Sequence, residues 1–174
     1  TWLKAATTEA MPPGGVLAID SSIDDSRYVG VRAAPTADGR TIVHVEFVAA
    51  TEPDMWAQVE RVMADQKVQL IVTPSLEIHT PELLRRRATM AGYAELLRYT
   101  ALVRSMIVEG RLQHTGETAL TEHVLRAVLV KTAQGAVVSS QKSPGPIELC
   151  RVMILAASTA SKPATAGRPM LVVA

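Results

Sequence analysis

The sequence predicts an α/β domain built on a mixed five-stranded sheet that is flanked by helices, antiparallel on one side and parallel on the other. Three β-rich runs follow one another before any helical pattern, which is typical of an antiparallel meander. Helical segments then alternate with two further short apolar runs, which is typical of strands covered by helices. The chain of 174 residues has the length of one ordinary domain.

The strands are predicted at five short apolar or β-branched runs, residues 16–20, 28–34, 41–50, 69–73 and 136–141. Asp38-Gly39 is a hairpin signal between the second and third runs. Apolar residues at helical spacing predict helices at residues 52–63, 81–84, 93–109, 118–130 and 147–160. The order is three strands, helix, strand, helices, strand, helix.

The ends of the chain differ in composition from its middle. Residues 1–15 are rich in Ala and Thr and end in Met-Pro-Pro-Gly-Gly, which predicts a linker. Residues 16–160 form the predicted domain. Residues 161–174 are predicted as a small, polar C-terminal tail that includes a last apolar run at 170–173.

Charge is distributed unevenly, although the formal net charge is only +1. Residues 1–82 carry 6 basic and 12 acidic side chains, whereas residues 83–174 carry 12 basic and 5 acidic ones. An acidic half joined to a basic half can hold cations and phosphate in adjacent places. A surface dipole of this size also arises by chance.

Several classes of protein are excluded by the composition. The single cysteine, Cys150, excludes an intramolecular disulfide framework and a Cys-rich zinc site. No apolar stretch reaches the length of a bilayer span and no signal-peptide pattern begins the chain, so we expect an intracellular soluble domain without a membrane partner. P-loop, dinucleotide-binding, nucleophile-elbow and His-Glu-x-x-His patterns are absent. Six aromatic residues are too few for a base-stacking platform.

Two acids occupy positions that suit metal binding. Asp20 ends a buried strand, where a lone carboxylate is costly unless it is paired or metal-bound. Glu148 lies in the first turn of an apolar helix, where the helix dipole favours the ionised form. Carboxylates gathered from such positions bind Mg²⁺ or Mn²⁺ through oxygen. The structural alternatives are that Asp20 caps a turn and that Glu148 only interacts favourably with the helix dipole.

Several basic residues are candidates for phosphate contacts. Lys142 and Arg151 flank Glu148 in sequence and are the preferred phosphate contacts, with Arg85 and Lys131 as further candidates. A solvated helix face is the alternative for most of these side chains. Glu122-His123 lacks a second histidine four residues later, so we interpret that pair as a solvated helix face.

Three segments carry a family resemblance. They are Ile19-Asp20-Ser21-Ser22 after a strand, residues 110–116 before a helix that begins Leu120-Thr121-Glu122, and residues 143–148 at the beginning of the last helix. Together they resemble the C-terminal nuclease domain of phage terminase large subunits, of the type found in tailed actinobacterial phages. The resemblance covers residues 16–160 and implies an RNase H-like fold.

The resemblance also implies site residues. Asp20 matches the first metal-binding aspartate and Glu148 the third acid, where many relatives have Asp. The second acid is expected at or after the fourth strand, which ends here in Thr73-Pro74. Glu77 is the nearest candidate, with Asp24 and Asp25 as alternatives. His114 lies in a segment that recurs in relatives. Its role there is either to pack the loop or to contact phosphate, and the resemblance does not choose between these two roles.

The implied function is a metal-dependent endonuclease that cuts concatemeric double-stranded DNA during genome packaging. Asp20, Glu77 and Glu148 would hold two Mg²⁺ or Mn²⁺ ions. The implied partners are the ATPase motor domain, the portal and the small terminase subunit, in the cytoplasm of the host cell. A resolvase-like nuclease and an inactive module that binds DNA or a portal are the alternatives.

Overall fold

The computed structural model describes residues 1–162 and contains two sheets and six α-helices in that range. The strands are β1 (Gly15–Ser21), β2 (Tyr28–Pro35), β3 (Thr41–Ala49), β4 (Val68–Val72), β5 (Ala88–Met90), β6 (Leu112–His114), β7 (Val128–Thr132) and β8 (Gly135–Ser139). The helices are α1 (Glu52–Asp65), α2 (Pro74–Glu77), α3 (Glu82–Arg85), α4 (Tyr93–Val108), α5 (Thr118–Arg126) and α6 (Glu148–Ala160). The predicted run at 170–173 and most of the tail at 161–174 lie outside the described residues.

The main sheet is mixed, with the strand order β5-β4-β1-β2-β3-β6. The antiparallel meander β1-β2-β3 forms one side, and β4 and β5 run parallel to β1 on the other. The predicted mixed α/β architecture is therefore confirmed. The predicted number of strands is wrong, because only four of the predicted strands lie in this sheet, and β5 and β6 complete it at its two edges.

The fifth predicted strand also lies elsewhere. The predicted strand at 136–141 overlaps β8, which pairs only with β7 in a separate hairpin. Most of β7 had been predicted as the end of a helix, but that helix ends at Arg126 and Ala127 is extended. The run Val128-Leu129-Val130 is apolar and partly β-branched, so periodicity alone could not separate strand from helix. The true edge strands, β5 and β6, have three residues each and leave little periodic signal.

The central strand β1 is buried on both faces of the sheet. Leu17 and Ile19 belong to the core cluster beneath α1, whereas Val16 and Ala18 belong to the cluster that includes α6. Side chains alternate along a strand, so Asp20 shares the α6 face with Val16 and Ala18. The fold thus directs the last acid of β1 toward the helix that begins with Glu148.

Part of the predicted N-terminal linker packs on the domain. Residues Trp2–Ala5 form a short 3-10 helix, and the Trp2 side chain is buried. The Trp2 indole N–H donates to Thr121 Oγ1 at 3.0 Å, and its ring stacks on His114 with the centroids 4.0 Å apart. Among the described residues, no helix is both long enough and apolar enough to cross a membrane.

Candidate active site

Asp20 lies where the carboxyl ends of two parallel strands meet. In the pairing of β1 with β4, Ile19 stands opposite Val72, which brings Asp20 level with Thr73. The Thr73 hydroxyl donates to Asp20 Oδ1 at 2.8 Å, and the Ser75 hydroxyl donates to the same oxygen at 3.2 Å. The backbone N–H of Ser21 adds a third hydrogen bond at 2.9 Å. The segment after β4, where an acid was expected, therefore supplies hydroxyl groups that orient Asp20.

The second oxygen of Asp20 is in a different situation. Oδ2 is buried and accepts no hydrogen bond, and the Asp20 residue is only 1% exposed. Arg151 Nη2 lies 3.2 Å from Oδ2, close enough for an ion pair, but the angles do not form a hydrogen bond. Burial raises the pKa of Asp20, against the opposing effects of Arg151 and the donated hydrogen bonds. Asp20 Oδ2 thus lies beside a guanidinium but has no hydrogen-bond donor among the described residues.

Glu148 is the first residue of α6 and is buried. Arg27 donates to Glu148 Oε1 from Nη2 at 2.6 Å and from Nε at 3.1 Å. His123 Nδ1 lies 4.0 Å from Glu148 Oε2. That nitrogen accepts the backbone N–H of Leu149 at 3.0 Å, so it carries no proton to give to the carboxylate. Glu148 is therefore held by one guanidinium on one of its oxygens.

A cleft of about 330 Å³ opens beside these acids. Its walls include Glu148, Arg27 and Arg151, together with the loop after β1 and the segment before α6. Arg151 connects the cleft to Asp20 through the contact described above. The structure thus brings the first and third predicted acids into one region, and its charged lining includes two guanidinium groups.

The second predicted acid is not part of this lining. Glu77 is exposed at the end of α2 and lines a separate depression with Arg85, another predicted DNA contact. Asp24, an alternative for that acid, does line the cleft. The hydroxyl groups of Ser26 and Ser22 donate to Asp24, and these hydrogen bonds lower the pKa of Asp24 to about 2. Asp25 is exposed in the same loop.

The remaining predicted DNA contacts lie near the cleft or on the hairpin. Lys142 is exposed in the segment that joins β8 to α6, and Lys131 is exposed on β7. Arg151 is less available than predicted, because its guanidinium contacts Asp20 and also donates to Ser140 Oγ at 3.3 Å. His114 is buried, and its Nε2 lies 3.0 Å from the Trp2 carbonyl oxygen, so in this structure it packs the loop.

Two residues of the site were missed in the sequence. Arg27 was not considered, although it lies in the loop that directly follows the strand of Asp20. His123 is buried against the beginning of α6, so the interpretation of Glu122-His123 as a solvated face is wrong for the histidine. The apolar residues around it, Leu120 and Val124, indicate that this side of α5 faces the core.

The donor atoms fit a hard divalent cation in part. Asp20 Oδ2 is a buried oxygen without a hydrogen-bond donor, and carboxylate oxygens are the ligands that Mg²⁺ and Mn²⁺ prefer. Glu148 supplies a second buried carboxylate beside the same cleft. Within residues 1–162, however, no three His, Cys, Asp or Glu side chains are grouped closely enough to hold a metal ion. The two acids therefore supply part of a ligand set for such a cation.

Comparison with solved structures identifies this architecture. The HK97 bacteriophage large terminase matches 88% of the chain with a TM-score of 0.70 at 16% identity. The large terminase nuclease from thermophilic phage G20c matches 82% of the chain and 80% of its own length, with a TM-score of 0.59 at 14% identity. The chain has the fold of a phage terminase nuclease domain. The fold implied by the sequence resemblance is therefore confirmed.

A third terminase structure agrees with this fold. The Thermus phage P74-26 large terminase nuclease domain matches 81% of the chain and 77% of its own length, with a TM-score of 0.51 at 13% identity. The chain spans only 40% of the HK97 large terminase. No protein-family model and no curated protein matches the sequence. The terminase nuclease fold is thus established by three-dimensional likeness.

Proposed function

We propose that this chain is the metal-dependent endonuclease domain of a phage terminase large subunit, cutting concatemeric double-stranded DNA during genome packaging. One observation carries the proposal: Asp20 is buried at the end of the central strand with an oxygen that no donor satisfies, next to a cleft that also holds Glu148. Such a carboxylate is costly to the fold and is suited to a ligand. The likeness of the fold to phage large terminases supports the proposal of a role in DNA packaging.

The two acids are the proposed metal ligands. Thr73, Ser75 and the Ser21 N–H hold Asp20 Oδ1, which leaves Oδ2 as the donor atom for a cation. Bound Mg²⁺ or Mn²⁺ would lower the pKa of an attacking water and stabilise the leaving oxygen of the phosphodiester. Binding of the second ion that the resemblance implies requires a third ligand, from the loop after β1, from Glu77 or from DNA.

The basic residues beside the cleft are the proposed phosphate contacts. Arg27 and Arg151 line the cleft itself, and Lys142 is exposed in the segment that leads to α6. These side chains would hold the phosphate backbone, and we expect little readout of the bases. The ATPase motor domain, the portal and the small terminase subunit are the proposed partners in the host cytoplasm.

The test is nicking of supercoiled plasmid by the full chain with Mn²⁺ or Mg²⁺, with EDTA as the blank. We expect Asp20→Asn and Glu148→Gln each to reduce the rate at least about 100-fold, because each removes a ligand charge. Asp38→Asn is the matched control, since Asp38 is an exposed acid that pairs with Arg40 on the β2–β3 turn. A rate that Asp20→Asn leaves unchanged would overturn the site.

A second candidate is an inactive module of the same fold that binds DNA or the portal. It is favoured by one observation, the lack of a three-acid cluster among the described residues. The same assay separates the two candidates. Retarded plasmid without nicking, in both metals and at all concentrations of the chain, would favour the inactive module.

A further inference from the structure

Both acids of the proposed site are held by guanidinium groups. Glu148 Oε1 accepts two hydrogen bonds from Arg27, and Asp20 Oδ2 lies 3.2 Å from Arg151 Nη2. No other charged donor reaches either of these two oxygens among the described residues. The positive charge that a cation would bring to the cleft is therefore already supplied by the chain itself.

The two arginines differ in how firmly they are held. The backbone of Arg27 is fixed, because its N–H donates to Ser22 Oγ at 3.0 Å and its carbonyl accepts the Ser22 N–H at 2.8 Å. Its side chain is 37% exposed and, among the described residues, reaches no carboxylate other than Glu148. The guanidinium can therefore turn into solvent without unfolding the loop. Arg151 is less exposed and has a second contact at Ser140.

Coulomb's law makes guanidinium and metal competitors at these oxygens. A divalent cation that binds Glu148 Oε1 would replace both hydrogen bonds from Arg27 and would repel a guanidinium left in contact. Ligand exchange would free Arg27 beside the cleft, where a phosphate group could take the place of the carboxylate. Metal binding at Glu148 Oε1 and the Arg27–Glu148 pair thus exclude each other.

We propose that Arg27 is an internal counter-ion that occupies Glu148 in the metal-free chain and has to leave before a divalent cation binds, with Arg151 in the same role at Asp20. The proposal rests on the proposed function, since it takes Asp20 and Glu148 as the metal ligands. It predicts that loss of Arg27 tightens metal binding, whereas an arginine that only positions Glu148 would have the opposite effect when removed.

The experiment is a titration of the full chain with MnCl₂. Binding is measured by calorimetry and by the decrease in the electron paramagnetic resonance signal of free Mn²⁺. We expect Arg27→Gln to lower the Kd for Mn²⁺ about tenfold, since it removes a competing charge and two charge-assisted hydrogen bonds. Arg27→Lys keeps the positive charge but not the forked contact, so its Kd for Mn²⁺ should lie between those of the unaltered chain and of Arg27→Gln. Arg151→Gln should lower the Kd by a smaller factor, because Arg151 makes no hydrogen bond to Asp20.

Arg40→Gln is the control, because Arg40 pairs with Glu9 and Asp38 outside the cleft. Its Kd should equal that of the unaltered chain, and circular dichroism checks that every variant is folded. An unchanged or higher Kd in folded Arg27→Gln would overturn the counter-ion proposal and leave the metal site standing. If the unaltered chain binds no Mn²⁺, or if Asp20→Asn leaves the Kd for Mn²⁺ unchanged, both the counter-ion proposal and the proposed function are overturned.

Discussion

Two clusters of acid and arginine in the molecule are built in opposite ways. The first, the cleft cluster, consists of Asp20, Arg151, Glu148 and Arg27. The second, the β2–β3 cluster, joins Glu46 to Arg32 and His44 on neighbouring strands. In the β2–β3 cluster Glu46 Oε2 contacts Arg32 Nε at 3.1 Å and His44 Nε2, and Arg32 Nη1 also donates to the carbonyl oxygens of Pro12 and Gly14.

The difference appears in the pKa values of one acid from each cluster, Glu46 and Asp20. The hydrogen bond with His44 is the largest of the effects that lower the pKa of Glu46 to about 2, and Arg32 adds to it. Burial, by contrast, raises the pKa of Asp20, and this effect outweighs those of Arg151 and of the hydrogen bonds to Oδ1. A satisfied cluster stabilises the fold, whereas an unsatisfied one weakens the fold and is suited to a ligand.

Removal of Arg32 should have the largest effect on stability. Arg32→Met removes the nearer of two guanidinium groups from Glu46, which keeps its contacts with His44 and Arg61, and leaves the carbonyl oxygens of Pro12 and Gly14 without their donor. We expect a loss of about 3 kcal/mol in the free energy of unfolding, because Arg32 is buried and three oxygens lose the donor that it supplied. Urea unfolding at pH 7 measures it. Arg40→Met, which breaks more exposed pairs, should cost less than about 1 kcal/mol; equal losses would show that the β2–β3 cluster is not special.

Glu46 should make stability depend on acid pH. Its pKa is about 2 in the folded chain and ordinarily 4.5, so the folded state favours the charged form. The resulting stability is fully present above pH 4.5 and is lost as the pH falls toward 2. We expect Glu46→Gln to cost about 2 kcal/mol at pH 7 and progressively less below pH 4.5. Urea unfolding at several pH values tests this, and a difference that stays constant down to pH 2.5 would contradict it.

Asp20 should show the opposite sign. Because its pKa is raised in the folded chain, the charged form is disfavoured there, and stability is lost as the pH rises above the ordinary value of 3.8. Asp20→Asn should therefore stabilise the metal-free chain by about 1 kcal/mol at pH 7, which for this length is about 2–4 °C in Tm. Calorimetry in EDTA measures it, and the gain should vanish below pH 3.8. A lower Tm at pH 7 would mean that the Arg151 contact outweighs burial.

The sequence was sufficient for features that depend on local patterns. The meander, the Asp20 strand end and Glu148 at the beginning of a helix were all predicted in place, because strand runs and helix starts are local signals. The edge strands β5 and β6 were missed because three residues carry little periodicity. Arg27 was missed because its contact with Glu148 joins positions 121 residues apart, which no spacing rule reports.

The smallest effect is expected at Glu77, and it decides which acids belong to the cleft cluster. Glu77 is exposed and lines a different depression, so Glu77→Gln should change the free energy of unfolding by less than about 0.5 kcal/mol. The nicking rate of Glu77→Gln should fall less than about twofold. Asp24 lines the cleft, so Asp24→Asn should lower the nicking rate about tenfold. The plasmid assay compares the two variants directly. A loss at Glu77 as large as that at Asp20 would restore Glu77 as the second acid, and the depression beside Arg85 would then belong to the active site.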